Sequence, residues 1–354
     1  MEKPIYVIGG GLAGCILGFT LSQKYGKNVW LIDNNYQRCA SKVAAGIFNP
    51  ITGKRMVKTW LADAIFPYMI DFYKSVESKF GNKIIYHHSV IKPFDSITEQ
   101  NEWIAKTAES NYSEYVNIVS QSIELQHVTD FELGGIEVQQ SGWIDCIAFI
   151  ETVRDYFISI SKYIEGNYNF EKNRVENEKI DLQMLPNPLI VNCTGFRAAN
   201  DDLWSYLPWQ LAKGEIVIIK TEQNISNIIN KSVFICPTAK EKEYKVGATY
   251  IWNDASSIVT QNGIEELRSK LDEIANFKYE IIGAEAEVRP TVKNRKPFLG
   301  RHPIFENQYI FNGFGSKTVS MGPYFADMMA KYMIFDTPLL KEADVREYIY
   351  LANQ

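Results

Sequence analysis

The first thirty-odd residues constrain the fold more than any other part of the chain. "IYVIG" is a short apolar run with β-branched residues, the composition of a strand buried on both faces. Gly9, Gly11 and Gly14 then form a G-x-G-x-x-G pattern, and "LAGCILGFTLSQKY" continues with apolar residues at helical spacing. "NVWLID" reads as a second buried strand ending in Asp33, about 20 positions beyond Gly14. Each part meets a physical need. The first glycine permits the turn, the second lets backbone approach a pyrophosphate, and the third packs helix against strand. Unpaired N–H groups at the helix start face the phosphates. The acid accepts hydrogen bonds from ribose hydroxyls. A lone glycine pattern is a weak signal. Strand, glycines, helix, second strand and acid in register specify a dinucleotide site, without separating FAD from NAD.

Asp33 is followed by "NNYQRCASKVAAGIFNPITGKR", small residues with no helical or strand period, suited to close approach of backbone to a bulky planar ligand. Residues 60–80 read as an amphipathic helix. "KIIYHHSVIKPF" reads as one strand leading to a turn, with His87 and His88 as sheet residues, and a polar helical stretch follows to about Val119. "GGIEVQQSGWIDCIAFIETVRDYF" gives a strand, a turn at Gly142 and a helix capped by Asp145. "NPLIVNCTGFRA" is another buried strand, ending at Thr194 and Gly195, that belongs with the dinucleotide sheet. "KGEIVIIKT", "SVFICPT" and "EYKVGATYIW" are strand-like, and "GIEELRSKLDEIANF" is a helix. "EAEVRPTVKNRKPFLGRHP" is extended and punctuated by prolines. "QYIFNGFGSKT" ends a last strand and opens a last helix. The halves of the nucleotide-binding layer are therefore separated by strand-rich insertions. No second G-x-G-x-x-G occurs, so a further NAD(P)H domain is not expected. The late turn containing Gly313, Gly315, Ser316, Lys317 and Thr318 would cradle the far end of a long cofactor, and FAD has that length.

Composition narrows the class. The chain has 354 residues, 46% of them hydrophobic, enough for two domains or one large domain with a lobe. A net charge of −5 gives no global basic footprint, so nucleic acid is not the expected partner. No apolar run suits a bilayer span, and the N-terminus enters a strand too soon for a secretory leader. Five scattered cysteines without C-x-x-C read as reduced packing residues of a cytoplasmic protein. Four histidines without ligand spacing make a metal site unexpected.

Across nearly its full length the chain resembles the FAD-dependent amino-acid and amine oxidases of the D-amino-acid oxidase superfamily. The resemblance includes glycine oxidase, sarcosine oxidase and the oxidase half of the bifunctional tRNA methylaminomethyl-uridine enzyme. It is carried in family order by "VIGGGLAGCILG", "SKVAAGIFNP", "LPWQLAKGEIV", "YKVGATY", "VRPTVKNRKPFLGRHP" and "GFGSKTVSMGP". It implies an α/β fold: a Rossmann-like FAD-binding domain with an inserted, mostly antiparallel β-sheet substrate domain. The expected FAD segments are 1–80, 140–203 and 285–354, and the substrate segments 81–139 and 204–284. By position, Gly9, Gly11, Gly14 and Asp33 would hold the ADP half, and Ser41, Lys42, Ala45, Gly46 and Ile47 would line pyrophosphate and flavin. Val175 would meet the adenine through its backbone, Gly195 ends a strand of the nucleotide sheet, and Gly313, Gly315, Ser316, Lys317 and Thr318 would contact the flavin pyrimidine edge. Arg289 matches the arginine that binds the substrate carboxylate in glycine oxidase, Lys245 the lysine credited with oxygen activation in sarcosine oxidase, and Tyr250 a pocket side chain. Thr249 stands where sarcosine oxidase has a histidine. No cysteine lies in the C-terminal turn, which implies non-covalent FAD. Phe48, Asn49 and Pro50, with the basic "TGKR", depart from glycine oxidase.

The leading expectation is oxidation of the C–N bond of a small carboxylate-bearing amine: glycine, an N-alkylglycine or a D-amino acid. Hydride would pass to flavin N5, and oxygen would be reduced to hydrogen peroxide. The alternatives are removal of a carboxymethyl group from a tRNA wobble uridine, 2-hydroxy-acid dehydrogenation on the same fold, and flavin binding without catalysis.

Overall fold

The computed structural model describes residues 3–35, 39–52, 57–169, 174–176, 187–252 and 254–352. Two sheets dominate. The first has six strands in the order Tyr163–Glu165, Val29–Asp33, Ile5–Ile8, Leu189–Asn192, Gln308–Asn312 and Phe298–Arg301. The first five run parallel, and the last is an antiparallel edge. Alternation sorts the side chains. Ile5, Val7, Val29, Leu31, Val191 and Phe311 join one core with the helices Leu12–Phe19, Ala62–Phe80, Cys146–Ser159 and Thr318–Phe335. Tyr6, Ile8, Ile32 and Ile190 pack on the other face with Ile164.

The second sheet has nine strands and lies between the segments of the first in sequence. Its order is Ile251–Trp252, Ala212–Lys220, Glu243–Gly247, Phe234–Pro237, Ile228–Asn230, Val90–Pro93, Gly135–Val138 and Val116–Val119. Glu280–Arg289 pairs with Ala212–Lys220. Every pairing but Ile228–Asn230 with Val90–Pro93 is antiparallel. Leu267 and Leu271 of the helix Gln261–Asp272 cover it, packing on Val217, Ile219 and Val246. The fold is thus the expected α/β sheet with an inserted antiparallel sheet.

Several local expectations need correction. "KIIYHHSVIKPF" is not one strand. Ile85–His87 pairs with Gly142–Ile144 in a three-stranded sheet, whereas Val90–Pro93 enters the nine-stranded one. The polar helix ends at Thr107, and Val116–Val119 is an edge strand. The region after Asp33 does hold regular structure: the short helix Ala40–Val43 and the strand Ile47–Phe48. Its residues 36–38 and 53–56 lie outside the described set. Asp145 caps its helix as expected, accepting from Ala148 N–H at 2.9 Å. The five cysteines are free thiols. Among the described residues no helix is long and apolar enough to cross a membrane.

Candidate active site

A cavity of about 1610 Å³ lies between the C-terminal ends of the parallel strands and one face of the nine-stranded sheet. In open parallel sheets this is where ligands bind, because loops part there and helix starts converge. At the first strand end Gly9 adopts φ +105°, and a Cβ there would fall 2.6 Å from the Cys193 carbonyl oxygen. A Cβ on Gly14 would lie 1.8 Å from the Gly9 oxygen, so this glycine serves helix–strand contact and does not line the cavity. Gly11 does line it, at the start of a helix with no acid in its first turn. Asp33 closes the unit: its carboxylate accepts from Gly10 N–H at 2.9 Å and Asn35 N–H at 3.0 Å, and it lines the cavity.

Ser41, Lys42, Ala45, Gly46 and Ile47 line the adjoining wall. Ser41 Oγ accepts from Leu12 N–H at 3.0 Å, tying this turn to the first helix. Gly195 is on the wall, and Asn312 Nδ2 donates to its carbonyl at 2.9 Å. Asn312 Oδ1 accepts from Gly313 N–H at 2.8 Å. Sequence reading missed this asparagine, whose buried amide joins two cavity loops. The strand Arg174–Glu176 pairs at Val175 with Tyr168, which lines the cavity.

Gly313, Gly315, Ser316, Lys317 and Thr318 line the opposite end, where Gly313 and Gly315 have φ +77° and +58°. They lead into Thr318–Phe335, a second helix with no acid in its first turn and no side-chain cap. Two helix starts therefore direct unpaired N–H groups at one cavity. The Lys317 ammonium donates to Thr52 Oγ1 at 3.3 Å and Thr59 Oγ1 at 3.4 Å. Burial, then the charges of Arg295 and Lys296, hold its pKa below the ordinary lysine value.

The nine-stranded sheet supplies Arg289. Its guanidinium makes only long contacts, to the Lys213 carbonyl at 3.3 Å and the Thr249 carbonyl at 3.4 Å, and burial lowers its pKa. Among the described residues it has no carboxylate partner. Gly214, on the neighbouring strand, makes the room: a Cβ there would sit 1.9 Å from Nη2. Tyr250 is half exposed on the rim, with its ring centroid 5.0 Å from the guanidinium carbon. Lys245 is not on the wall. Its ammonium donates to the carbonyls of Lys42, Val43 and Ala44 at 3.4, 3.0 and 3.0 Å, beneath the turn that is.

The lining fits a dinucleotide cofactor. Gly9, Gly11, Gly313 and Gly315 line the wall, and neither helix carries an acid in its first turn. These features place the chain among the dinucleotide-binding enzymes. It belongs to the FAD dependent oxidoreductase family, whose family model matches residues 5–332. A curated relative from Nitrosospira multiformis, the tRNA 5-methylaminomethyl-2-thiouridine biosynthesis bifunctional protein MnmC, is 21% identical over 92% of this chain and 56% of its own length. The protein of that name from Legionella pneumophila strain Philadelphia 1 is 24% identical over 70% of this chain and 38% of its own. The chain thus spans about half or less of these relatives. Glycine oxidase from Bacillus cereus superposes with a TM-score of 0.76 at 16% identity, covering 95% of this chain and 96% of that one. Iminodiacetate oxidase from Chelativorans sp. BNC1 gives 0.77 at 17%, covering 97% and 98%.

Proposed function

We propose that this FAD-dependent oxidoreductase oxidises the C–N bond of a small amine bearing a carboxylate, with FAD held non-covalently. The observation that carries the reading is Arg289: a half-buried guanidinium on the cavity wall, without a carboxylate partner among the described residues, beside a glycine that gives it space. Such a group grips a carboxylate through two parallel hydrogen bonds. Gly9, Gly11 and Asp33 would hold the ADP half, and the turn 41–47 with Gly195 the middle of the cofactor. The turn 313–318 would hold the flavin edge. Gly14 supports this arrangement from behind, and Val175, paired with Tyr168, would meet the adenine through its backbone. Bound FAD supplies the acceptor for a hydride from the carbon between nitrogen and carboxylate, and oxygen takes the electrons to give hydrogen peroxide. Arg289 fixes the carboxylate, Tyr250 covers the mouth, and the apolar wall excludes water from the reacting carbon. Lys245 positions the turn it holds. The FAD segments are 1–80, 140–203 and 285–354, and the substrate segments 81–139 and 204–284; the limit at 284/285 falls inside the strand Glu280–Arg289.

The tRNA alternative keeps one specific support. Exposed Arg295 and half-buried Lys58 and Lys296 line the cavity, as does Lys317, and the matched curated relatives carry a tRNA-biosynthesis name. The experiment is a peroxide assay with glycine, sarcosine, D-alanine, D-2-hydroxyglutarate and a carboxymethylaminomethyl-uridine tRNA. We expect turnover of a carboxylated amine, FAD released into solution by acid precipitation, and at least a tenfold rise in KM for Arg289→Lys with FAD retained. An unchanged KM rejects the role of Arg289, and turnover of the hydroxy acid alone rejects amine oxidation.

A further inference from the structure

Two positions before Arg289 on the same strand stands a carboxylate. Residues two apart on a strand project from the same face, and Glu287 lines the same cavity. It is only 6% exposed. Its partner across the ladder is Gly214, the residue that also clears space for Arg289. Among the described residues its one hydrogen bond is from the Val288 N–H, at 3.1 Å to Oε2, and it has no ion pair.

A buried carboxylate without a cation is unfavourable, and so is a buried guanidinium without an anion. Here a buried carboxylate and a half-buried guanidinium face a single cavity, and the two do not pair with each other. A ligand with both charges a short distance apart satisfies both at once. We propose that Glu287 is the amine subsite: its carboxylate accepts hydrogen bonds from the substrate's ammonium while Arg289 holds the substrate's carboxylate. The inference rests on the reading of Arg289 above and sharpens the substrate class to a zwitterion with at least one N–H. A hydroxy acid offers Glu287 only a neutral donor, which forms a weaker bond than a charged one. An amine lacking N–H offers none.

Binding to the FAD-loaded full chain tests this apart from turnover, read by calorimetry or by the change in flavin absorbance. The probes are isobutyrate and 2-aminoisobutyrate. They share a carbon skeleton, differ by the ammonium, and the second has no hydrogen on the carbon between nitrogen and carboxylate. The wild type should bind 2-aminoisobutyrate roughly ten- to a hundredfold more tightly, as expected for a hydrogen bond between charged groups. Glu287→Gln, nearly the same shape, should erase that preference while isobutyrate binds as well or better. Arg289→Lys should weaken both probes. Equal binding of the two probes by the wild type, binding of neither, or a preference that survives Glu287→Gln overturns the proposal. If Arg289→Lys leaves isobutyrate binding unchanged, the carboxylate role of Arg289 fails instead, and the Glu287 comparison still reports on the amine.

Discussion

At Gly214 one methyl group separates binding of substrate from binding of cofactor. An alanine Cβ would meet Arg289 at 1.9 Å from Nη2 and 2.2 Å from Cζ, so the guanidinium must leave its position. Gly214→Ala should therefore raise KM by about tenfold or more, the loss of roughly one charged hydrogen bond, with FAD content unchanged by absorbance. A normal KM would mean that Arg289 is not held where the carboxylate binds. Lys317 gives a second residue-scale expectation. Burial and the neighbouring Arg295 and Lys296 charges lower its folded pKa. In the free chain its charge therefore opposes folding, and stability from this group rises with pH between the lowered value and the ordinary one. An electron-rich cofactor edge beside it favours the protonated form, so binding takes up a proton. FAD affinity should then weaken as pH rises through the lowered pKa, and Lys317→Met should flatten that slope. Fluorescence titration of both proteins from about pH 7 to about pH 10 measures the difference, in which titrations common to the two cancel. Identical slopes would show that Lys317 does not face the cofactor.

Among the elements, the turn around Ala40–Val43 has the most to reveal. Its carbonyl end is held by one ammonium, Lys245, through three bonds. Lys245→Met leaves those carbonyls without that donor, at a cost of about 1–3 kcal/mol. Because the same turn lines the cavity, the variant should unfold a few degrees lower, bind FAD more weakly and slow both half-reactions together. Stopped-flow measurements that show only reoxidation by oxygen slowed would instead assign Lys245 to oxygen activation. The dinucleotide unit was legible in the sequence because its constraints are local: Gly14 must lack a Cβ to pass the oxygen of Gly9, five residues away. The turn 313–318 stood out by its glycines and lysine, and Arg289 through a family resemblance. Gly214 and Glu287 were not found, because their meaning depends on a register, Gly214 opposite Glu287, that joins distant stretches of chain. The short helix Ala40–Val43 and strand Ile47–Phe48 escaped because neither is long enough to show a period. Val116–Val119 was hidden because a strand of four residues is too short to show a period.

On the scale of the molecule, the cavity joins the two sheets. Arg289 ends a strand of the nine-stranded sheet, and Pro290, the next residue, accepts from Gly315 N–H at 3.1 Å in the turn that opens the last helix. Thr291 accepts from Gln210 N–H at 2.8 Å, so the crossing between sheets is tied on both sides. A cofactor lying along this seam contacts both sheets in the folded state and neither in the unfolded one. It should stabilise the whole by RT ln(1 + [L]/Kd), about 2.7 kcal/mol at a hundredfold excess over Kd. Gly11→Ala isolates that effect from the fold itself. Its added Cβ would meet only Ser41, 3.1 Å from the Oγ that accepts from Leu12 N–H, so that bond must loosen, and it would stand on the wall where the pyrophosphate would approach. Without FAD the variant should melt up to a few degrees below the wild type, since alanine at this N-cap and a loosened bond to Leu12 N–H cost about 1 kcal/mol. With FAD added, the wild-type melting temperature should climb with cofactor concentration while that of Gly11→Ala stays nearly fixed. Calorimetric scans that show the same climb in both proteins would place the cofactor away from the N-terminal glycines and remove the basis for the proposed cofactor-binding residues.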